Sequence, residues 1–262
     1  MPDAVRVTDL YSRSAHAYER HWGSQLAARG RLLVDGLPIA NARRVLDLGA
    51  GVGINLGGLR VAAPNALVVA ADGSEDMLRL ATGPRVVLDV HALAFADEAF
   101  DAVLVAFVLH HLADPGAALA KIGRVLMPGG WLAIGTWTSD PESLPAERIW
   151  AEELERAGAP VGPDVSPGQA ATSSPADMSA LLTAAGFDVE RTATHTLDDR
   201  MDPEEFVLRR TTLGLQGWRF ASLREDARSQ LLGRVRVRLA SLSPDGLNAR
   251  ETAILTWARR RS

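Results

Sequence analysis

Short runs of consecutive apolar residues punctuate the first half of the chain, at Arg44 to Leu48, Leu67 to Ala71, Arg85 to Leu88, Ala102 to Phe107 and Trp131 to Thr136. Each is followed by a stretch whose apolar residues recur at helical spacing, and this alternation predicts a parallel sheet wrapped by helices. In the segment DAVLVAFVL, Asp101 to Leu109, every residue after Asp101 is apolar, which predicts a strand buried on both faces in mid-sheet. The second half is less regular. It carries an amphipathic helix near Ala146 to Ala157, a loop from Gly158 to Ser174 rich in Pro, Gly and Ser, and a helix over Pro175 to Ala185 that Gly186 ends. A strand from Phe187 to Thr196 and a helix over Pro203 to Leu213 follow, the helix with Pro at its start. Leu231, Leu232, Val235, Leu239 and Leu242 fall on one helical stripe, although the alternation Arg234-Val235-Arg236-Val237-Arg238 also reads as a strand. Glu251 to Trp257 gives a last strand.

A chain of 262 residues is long enough for one large α/β domain with an inserted cap. It is 47% hydrophobic and 23% charged, and no apolar run approaches the roughly 18 residues that span a bilayer. The polar start MPDAVRVTDLYSRS has no apolar leader, so a cytoplasmic protein without membrane partners is expected. The formal net charge is −4 and Lys121 is the one lysine, so no lysine-rich tract offers itself to nucleic acid. With no cysteine, disulfides, thiolate metal sites and a cysteine nucleophile are excluded, and no metal site is expected.

The most informative segment is VLDLGAGVG, Val45 to Gly53, a strand that runs into a glycine-rich turn and opens a helix. Glycines at 49, 51 and 53 let the backbone approach a ligand where a Cβ would collide, and the following helix start offers free N–H groups. The dinucleotide fingerprint G-x-G-x-x-G fails in both frames, because Ile54 and Leu56 stand where its last glycine would be. Asp47 sits at an otherwise apolar strand end, and a carboxylate there is costly to bury without a cationic or hydrogen-bond-donating neighbour.

Four motifs in matching order and spacing, VLDLGAGVG, AADGSEDML (Ala70 to Leu78), LDVHALAFADEAFDAVLVAFVLHHL (Leu88 to Leu112) and RVLMPGG (Arg124 to Gly130), resemble the class I S-adenosylmethionine-dependent methyltransferases, in the group that contains the ubiquinone and menaquinone methyltransferases. The resemblance runs from about Val45 to Trp137. It implies a doubly wound, Rossmann-like sheet of seven mostly parallel strands, the last antiparallel, with a helical cap. A single methyltransferase domain is expected, with a helical cover over 1–40, a cofactor-binding core over 41–140, and cap helices with sheet-completing strands over 141–262. By the same resemblance S-adenosylmethionine is the cofactor. Its methionine part would lie on the turn of Asp47, Gly49, Gly51 and Gly53, its ribose on Asp72 beside Gly73, and its adenine near Asp89. Val90 departs from the alanine usual in the family, Met77 is either core or an adenine flank, and Phe107 at the end of the fourth strand completes the set. RVLMPGG reads as a tight turn between a helix and the fifth strand and carries no chemistry.

Physical alternatives accompany several of these roles. Asp72 can also simply begin an Asp-Gly turn, and Asp89 can cap a helix. Near the N-terminus, DLYSRSAHAYERHW (Asp9 to Trp22) resembles the family's leading helix; Tyr11 and Tyr18, seven apart, share a face that either closes the site or forms a partly buried aromatic pair. His110 and His111 follow the fourth strand at the carboxyl edge, where open α/β sheets bind ligands, and one of them is a candidate general base or else structural. Asp140 is a candidate to orient a histidine, and Asp-Pro also starts turns. The expected reaction is methyl transfer to a small molecule, with a hydroxyl acceptor in secondary metabolism foremost; C- or N-methylation of a quinone or other metabolite, and a non-catalytic cofactor-binding regulator, are the alternatives. The oligomeric state, monomer or homodimer, is left open.

Overall fold

The computed structural model describes residues 6–21, 23–139 and 144–262. In the first half α1 (Val7–His21) and α2 (Gly23–Asp35) precede β1 (Arg44–Leu48), α3 (Leu56–Ala62), β2 (Leu67–Asp72), α4 (Glu75–Leu80), β3 (Arg85–Val87), β4 (Phe100–Ala106), α5 (Pro115–Val125) and β5 (Leu126–Trp137). The second half contains α6 (Pro145–Arg156), α7 (Gln169–Thr172), α8 (Pro175–Ala184), β6 (Phe187–Arg200), α9 (Pro203–Thr212), α10 (Gly214–Ala221), α11 (Glu225–Leu239) and β7 (Asn248–Arg260). The strands form one seven-stranded sheet in the order β3-β2-β1-β4-β5-β7-β6. β1 to β5 pair in parallel and β7 pairs antiparallel with β5, which is the expected doubly wound, mostly parallel architecture.

Successive residues of a strand point to opposite faces, so a strand covered on both sides must be apolar throughout. In β4, Ala102 and Leu104 join Val45, Leu33, Leu59 and Trp257 on one face. Val103 and Val105 join Leu46, Leu48, Leu119, Ile122 and Phe187 on the other. Asp47 falls between Leu46 and Leu48 on the face of the first group, where it is fully buried. Asp114 caps α5 by accepting from Ala117 N at 2.8 Å, with Pro115 in the first turn.

The chain divides into two compact units: a sheet unit of residues 22–139, 166–195 and 252–262, and a helical unit of residues 1–21, 140–165 and 196–251. The core of the helical unit gathers Trp150, Leu154, Phe206, Leu231, Val235 and Leu239. The arginine alternation at 234–238 is helical, because Leu231, Val235 and Leu239 recur every four residues and are buried, while Val237 is left exposed. Arg234 and Arg238 then reach one carboxylate, that of the fully buried Glu153 on α6, at 2.6 and 2.9 Å. Burial pushes the Glu153 carboxyl up, but hydrogen bonds from Arg234 and Arg238 hold it below the usual carboxylate range. Its contribution to stability is therefore present at neutral pH and lost as pH falls through that lowered value. Replacing it (Glu153→Ala) would leave the arginines facing an empty place; we expect a loss of about 3 kcal/mol in urea unfolding at pH 7, shrinking towards acid pH.

Three elements differ from expectation. The MPGG segment is a bulge within β5 rather than a turn before it: Leu126 already pairs with Phe100, and Trp131 with Ala102. β6 and β7 run on to Arg200 and back to Asn248, beyond the strands read from sequence. α10 has no counterpart in the elements read from sequence; a Cβ at Gly217 would lie 2.8 Å from the Thr212 backbone, so glycine is what lets α10 abut the end of α9. Among the described residues no helix is long and apolar enough to cross a membrane.

Candidate active site

β1 ends at the centre of the sheet and the chain turns sharply through Gly49 and Gly51, at φ +74° and +54°. A Cβ at Gly49 would collide with Val108 Cγ2 at 2.2 Å, so this glycine lets β1 pack against the end of β4. A Cβ at Gly51 would meet only the flexible tip of Met77, at 3.2 Å, and this glycine keeps open the space above the turn. The turn is tied to β2 at two levels. Gly49 N and Ala50 N both donate to Ala71 O, at 2.7 and 3.0 Å. Asp72 accepts from Gly51 N through Oδ2 and from Ser74 N through Oδ1, each at 2.8 Å.

Burial raises the Asp72 carboxyl, and the main-chain donors of Ser74, Gly51 and Gly73 oppose that rise. The carboxylate thus holds the turn together, and lone pairs beyond those bonds remain for a ribose. Asp72→Ala is expected to lower the melting temperature and to weaken cofactor binding by roughly 10- to 100-fold, the loss of hydrogen bonds to a charged acceptor. Calorimetric titration with S-adenosylmethionine checks this, and unchanged affinity would remove Asp72 from the site.

Asp47 lies beneath the same turn. Neither of its carboxylate oxygens has a hydrogen-bond partner in the protein, against the expectation of a neighbouring donor. Burial, with the charge of Asp72 added, pushes its pKa up to about 7. A buried carboxylate left in this way is a place prepared for something that brings positive charge or N–H donors.

At the carboxyl edge of β4, Phe107 takes φ +61°, which is costly for a residue with a Cβ. Its N–H donates to Gly135 O at 2.8 Å, and its ring stacks on Trp137, the last residue of β5, at 4.4 Å. Arg29 of α2, itself buried, lies over the other ring system with its guanidinium carbon 4.7 Å from the Trp137 centroid. Sequence reasoning singled out Phe107 and missed Arg29 and Trp137. A lone arginine in an amphipathic helix gives no signal, although a tryptophan at a strand's carboxyl end could have been flagged.

His110 and His111 form a short 3-10 turn after β4, with ring centroids 4.0 Å apart. The structure separates them. His110 is buried, its Nδ1 has no hydrogen-bond partner, and burial together with the neighbouring His111 pushes its pKa down to about 3. Its carbonyl accepts from Gly168 N at 3.0 Å, so this residue anchors the segment 166–172. His111 is half-buried and keeps its standing as the candidate base.

Asp89 is exposed and caps the turn Val90–Ala92, accepting from His91 N at 2.8 Å through Oδ1. The capping alternative is thus realised, and Oδ2 is the atom left to an adenine. Val90 is half-buried and Met77 buried under the glycine turn. Gly53 packs a Cβ position against Leu56 and Ala81, so its first duty is the fold. Tyr11 and Tyr18 do come together, edge to face at 5.6 Å, but they belong to the helical unit and not to that of the turn. Asp140 lies outside the described residues. Among the described residues no group of three or more His, Cys, Asp or Glu is set to hold a metal.

The family model for a methyltransferase domain matches residues 46–134, the stretch that carries the turn, Asp72, Asp89 and the histidine pair. Over this stretch the chain is similar to a methyltransferase domain. A demethylmenaquinone methyltransferase of Renibacterium salmoninarum is 37% identical over 132 residues, 48% of this chain and 54% of that protein. One from Clavibacter sepedonicus is 43% identical over 116 residues, 41% of this chain and 46% of that protein. The chain thus spans about half the length of the curated relatives it matches. Among solved structures, a Haemonchus contortus phosphoethanolamine N-methyltransferase in complex with S-adenosylhomocysteine has a TM-score of 0.58 and 18% identity, covering 100% of this chain and 62% of that one. At that identity the likeness is one of fold.

S-adenosylmethionine fits the core around the glycine turn on the structure's own terms. The cofactor carries an ammonium and a sulfonium, and the core offers an orphaned buried carboxylate in Asp47 together with an open turn at Gly51.

Proposed function

We propose that this protein transfers the methyl group of S-adenosylmethionine to a small-molecule acceptor, foremost to a hydroxyl. The observation that carries the reading is Asp47, fully buried without a protein partner under a glycine turn that Asp72 clamps. When bound, the cofactor supplies an electrophilic methyl group on a sulfonium. The chain's own residues then bind, align and exclude water, which is the main part of catalysis for an in-line displacement. Asp47 and the Gly51 turn would hold the methionine part, Asp72 the ribose, and Asp89 the adenine. Phe107, fixed by the Gly135 bond and the Trp137 stack, would form an apolar wall near the transferable methyl. His111 would take up the hydroxyl proton as the new bond forms.

The relatives' printed names point to C-methylation of a quinone ring, which is the competing acceptor. Calorimetric titration with S-adenosylmethionine, followed by turnover of labelled cofactor against phenols, sugars and a naphthoquinol, tests the reading. Binding with hydroxyl turnover supports it, quinol turnover alone favours C-methylation, and binding without turnover leaves a regulator that has lost its acceptor chemistry.

A further inference from the structure

Where β4 leaves the sheet, β5 loses a partner for one of its carbonyls. Up to Ala106 the two strands pair in parallel, and Phe107 N still donates to Gly135 O at 2.8 Å. Had β4 run on, the next donor of a parallel ladder, Leu109 N, would meet Trp137 O. Phe107 instead takes φ +61° and sends the chain into the histidine turn. β7 does not serve either. Thr138 N donates to Thr252 O on that side at 2.9 Å, and the carbonyl of the same planar peptide, that of Trp137, points the opposite way.

A side chain takes the place of the missing strand donor. Gln169, 32 residues on, donates through Nε2 to Trp137 O at 2.9 Å. The segment that carries it lies flat on the histidine turn: Gly168 N donates to His110 O at 3.0 Å, and a Cβ at Gly168 would lie 2.4 Å from Leu112 O and 2.8 Å from Leu109 O. At the end of α7 the fully buried Thr172 meets the fully buried Thr136 of β5, hydroxyl to hydroxyl, at 3.3 Å. One segment thus grips the carboxyl ends of both β4 and β5. All of these residues belong to the sheet unit.

We infer that Gln169 is a positioning residue of the candidate active site: by meeting the Trp137 carbonyl it sustains the strained exit of β4 and so fixes the Phe107–Trp137 stack that walls the site. A Cβ at Gly135 would lie 3.3 Å from Phe107 Cζ, so the ring is seated over a glycine, and its face stacks on Trp137 at 4.4 Å. A residue in a costly backbone conformation keeps it only while its surroundings over-determine it. Gln169 adds to that determination from outside the two strands, and it acts through Trp137 rather than on the reacting groups. The inference rests on the methyltransferase reading for what the wall faces, while the clasp itself stands on the sheet unit alone.

The test uses the full chain labelled with 5-fluorotryptophan, the Trp137 fluorine resonance being assigned by its loss in Trp137→Phe. The native chain should give one sharp Trp137 line, and S-adenosylmethionine should shift it. Gln169→Met keeps the length of the side chain and removes its donor, so the Trp137 line should broaden or split. Gln169→Glu, which sets an acceptor against the same carbonyl, should do likewise. In both variants S-adenosylmethionine affinity by calorimetric titration should stay within about threefold, because Asp47 and Asp72 are untouched. Thr172→Val loosens the same segment without touching the Trp137 carbonyl; it should lower the melting temperature and leave a single Trp137 line. A single sharp line in the Gln169 variants, or a split line in Thr172→Val as well, would overturn the inference. So would S-adenosylmethionine binding that leaves the native Trp137 line unmoved, which removes the stack from the site while the methyltransferase reading survives. A native chain that binds no S-adenosylmethionine sinks that reading itself, and the positioning role with it.

Discussion

Asp47→Asn should abolish measurable S-adenosylmethionine binding, a loss of at least 100-fold, while making the ligand-free protein more stable at neutral and alkaline pH. The two effects share one cause. The Asp47 carboxyl is fully buried, has no hydrogen-bond partner and titrates at about 7 instead of 3.8. A carboxyl whose folded pKa is raised favours the fold in its protonated form; that advantage is complete below about pH 4 and is lost as pH rises through about 7. Moving the pKa that far corresponds to roughly 4 kcal/mol once the group is ionised. Asparagine keeps the shape of the neutral acid at every pH, so the native chain and the variant should converge in stability at acid pH and diverge above it. Melting curves from pH 5 to 9, with and without S-adenosylmethionine, measure both effects. A variant that binds the cofactor normally, or that is no more stable than the native chain at pH 8, would show that Asp47 is not the cofactor's counter-charge. Stability given up at a binding site in the free protein is what a site organised for a charged ligand requires.

The histidine pair should divide its labour. His111→Ala is expected to lower kcat by roughly 10²- to 10⁴-fold with a hydroxyl acceptor while leaving cofactor affinity nearly intact, the signature of a lost base. His110→Ala should instead cost on the order of 2 kcal/mol of stability with modest kinetic change, as for other buried packing residues. The pH dependence separates them further. The His110 imidazole is held neutral, with a pKa of about 3 against an ordinary 6.5. Its contribution to stability is therefore complete above about pH 6.5 and declines as pH falls towards 3, where the unfolded chain takes up the proton and the fold resists it. In His110→Ala that part of the decline should vanish. If both variants turn over at the native rate, base catalysis is wrong and alignment alone carries the reaction.

Much of the central sheet and its glycine turn was legible in the sequence because the signals there are local. A strand buried on both faces needs an unbroken apolar run, as in β4, and a turn that presses β1 against Val108 needs glycine at 49. Such requirements act between neighbours in the chain and leave their mark there. The placement of Asp72 at the end of β2 and of the histidine pair after β4 follows from the same strand ends.

What only the tertiary structure decided is set by residues far apart in the chain. Whether Asp47 finds a donor depends on every element packed around β1, and the answer, that the protein supplies none, has no local sign. His110 and His111 are the same residue type side by side, and only the packing beneath the turn buries one and leaves the other half-open. The helical stripe at 231–242 is legible locally, but that Arg234 and Arg238 both meet Glu153, 81 and 85 residues earlier, is not. Arg29 meets Trp137, and Arg210 meets Glu147, across comparable stretches of chain. Periodicity fixes which face of an element is apolar. Burial, pKa and pairing depend on what comes to lie against that face, and only the folded chain determines that.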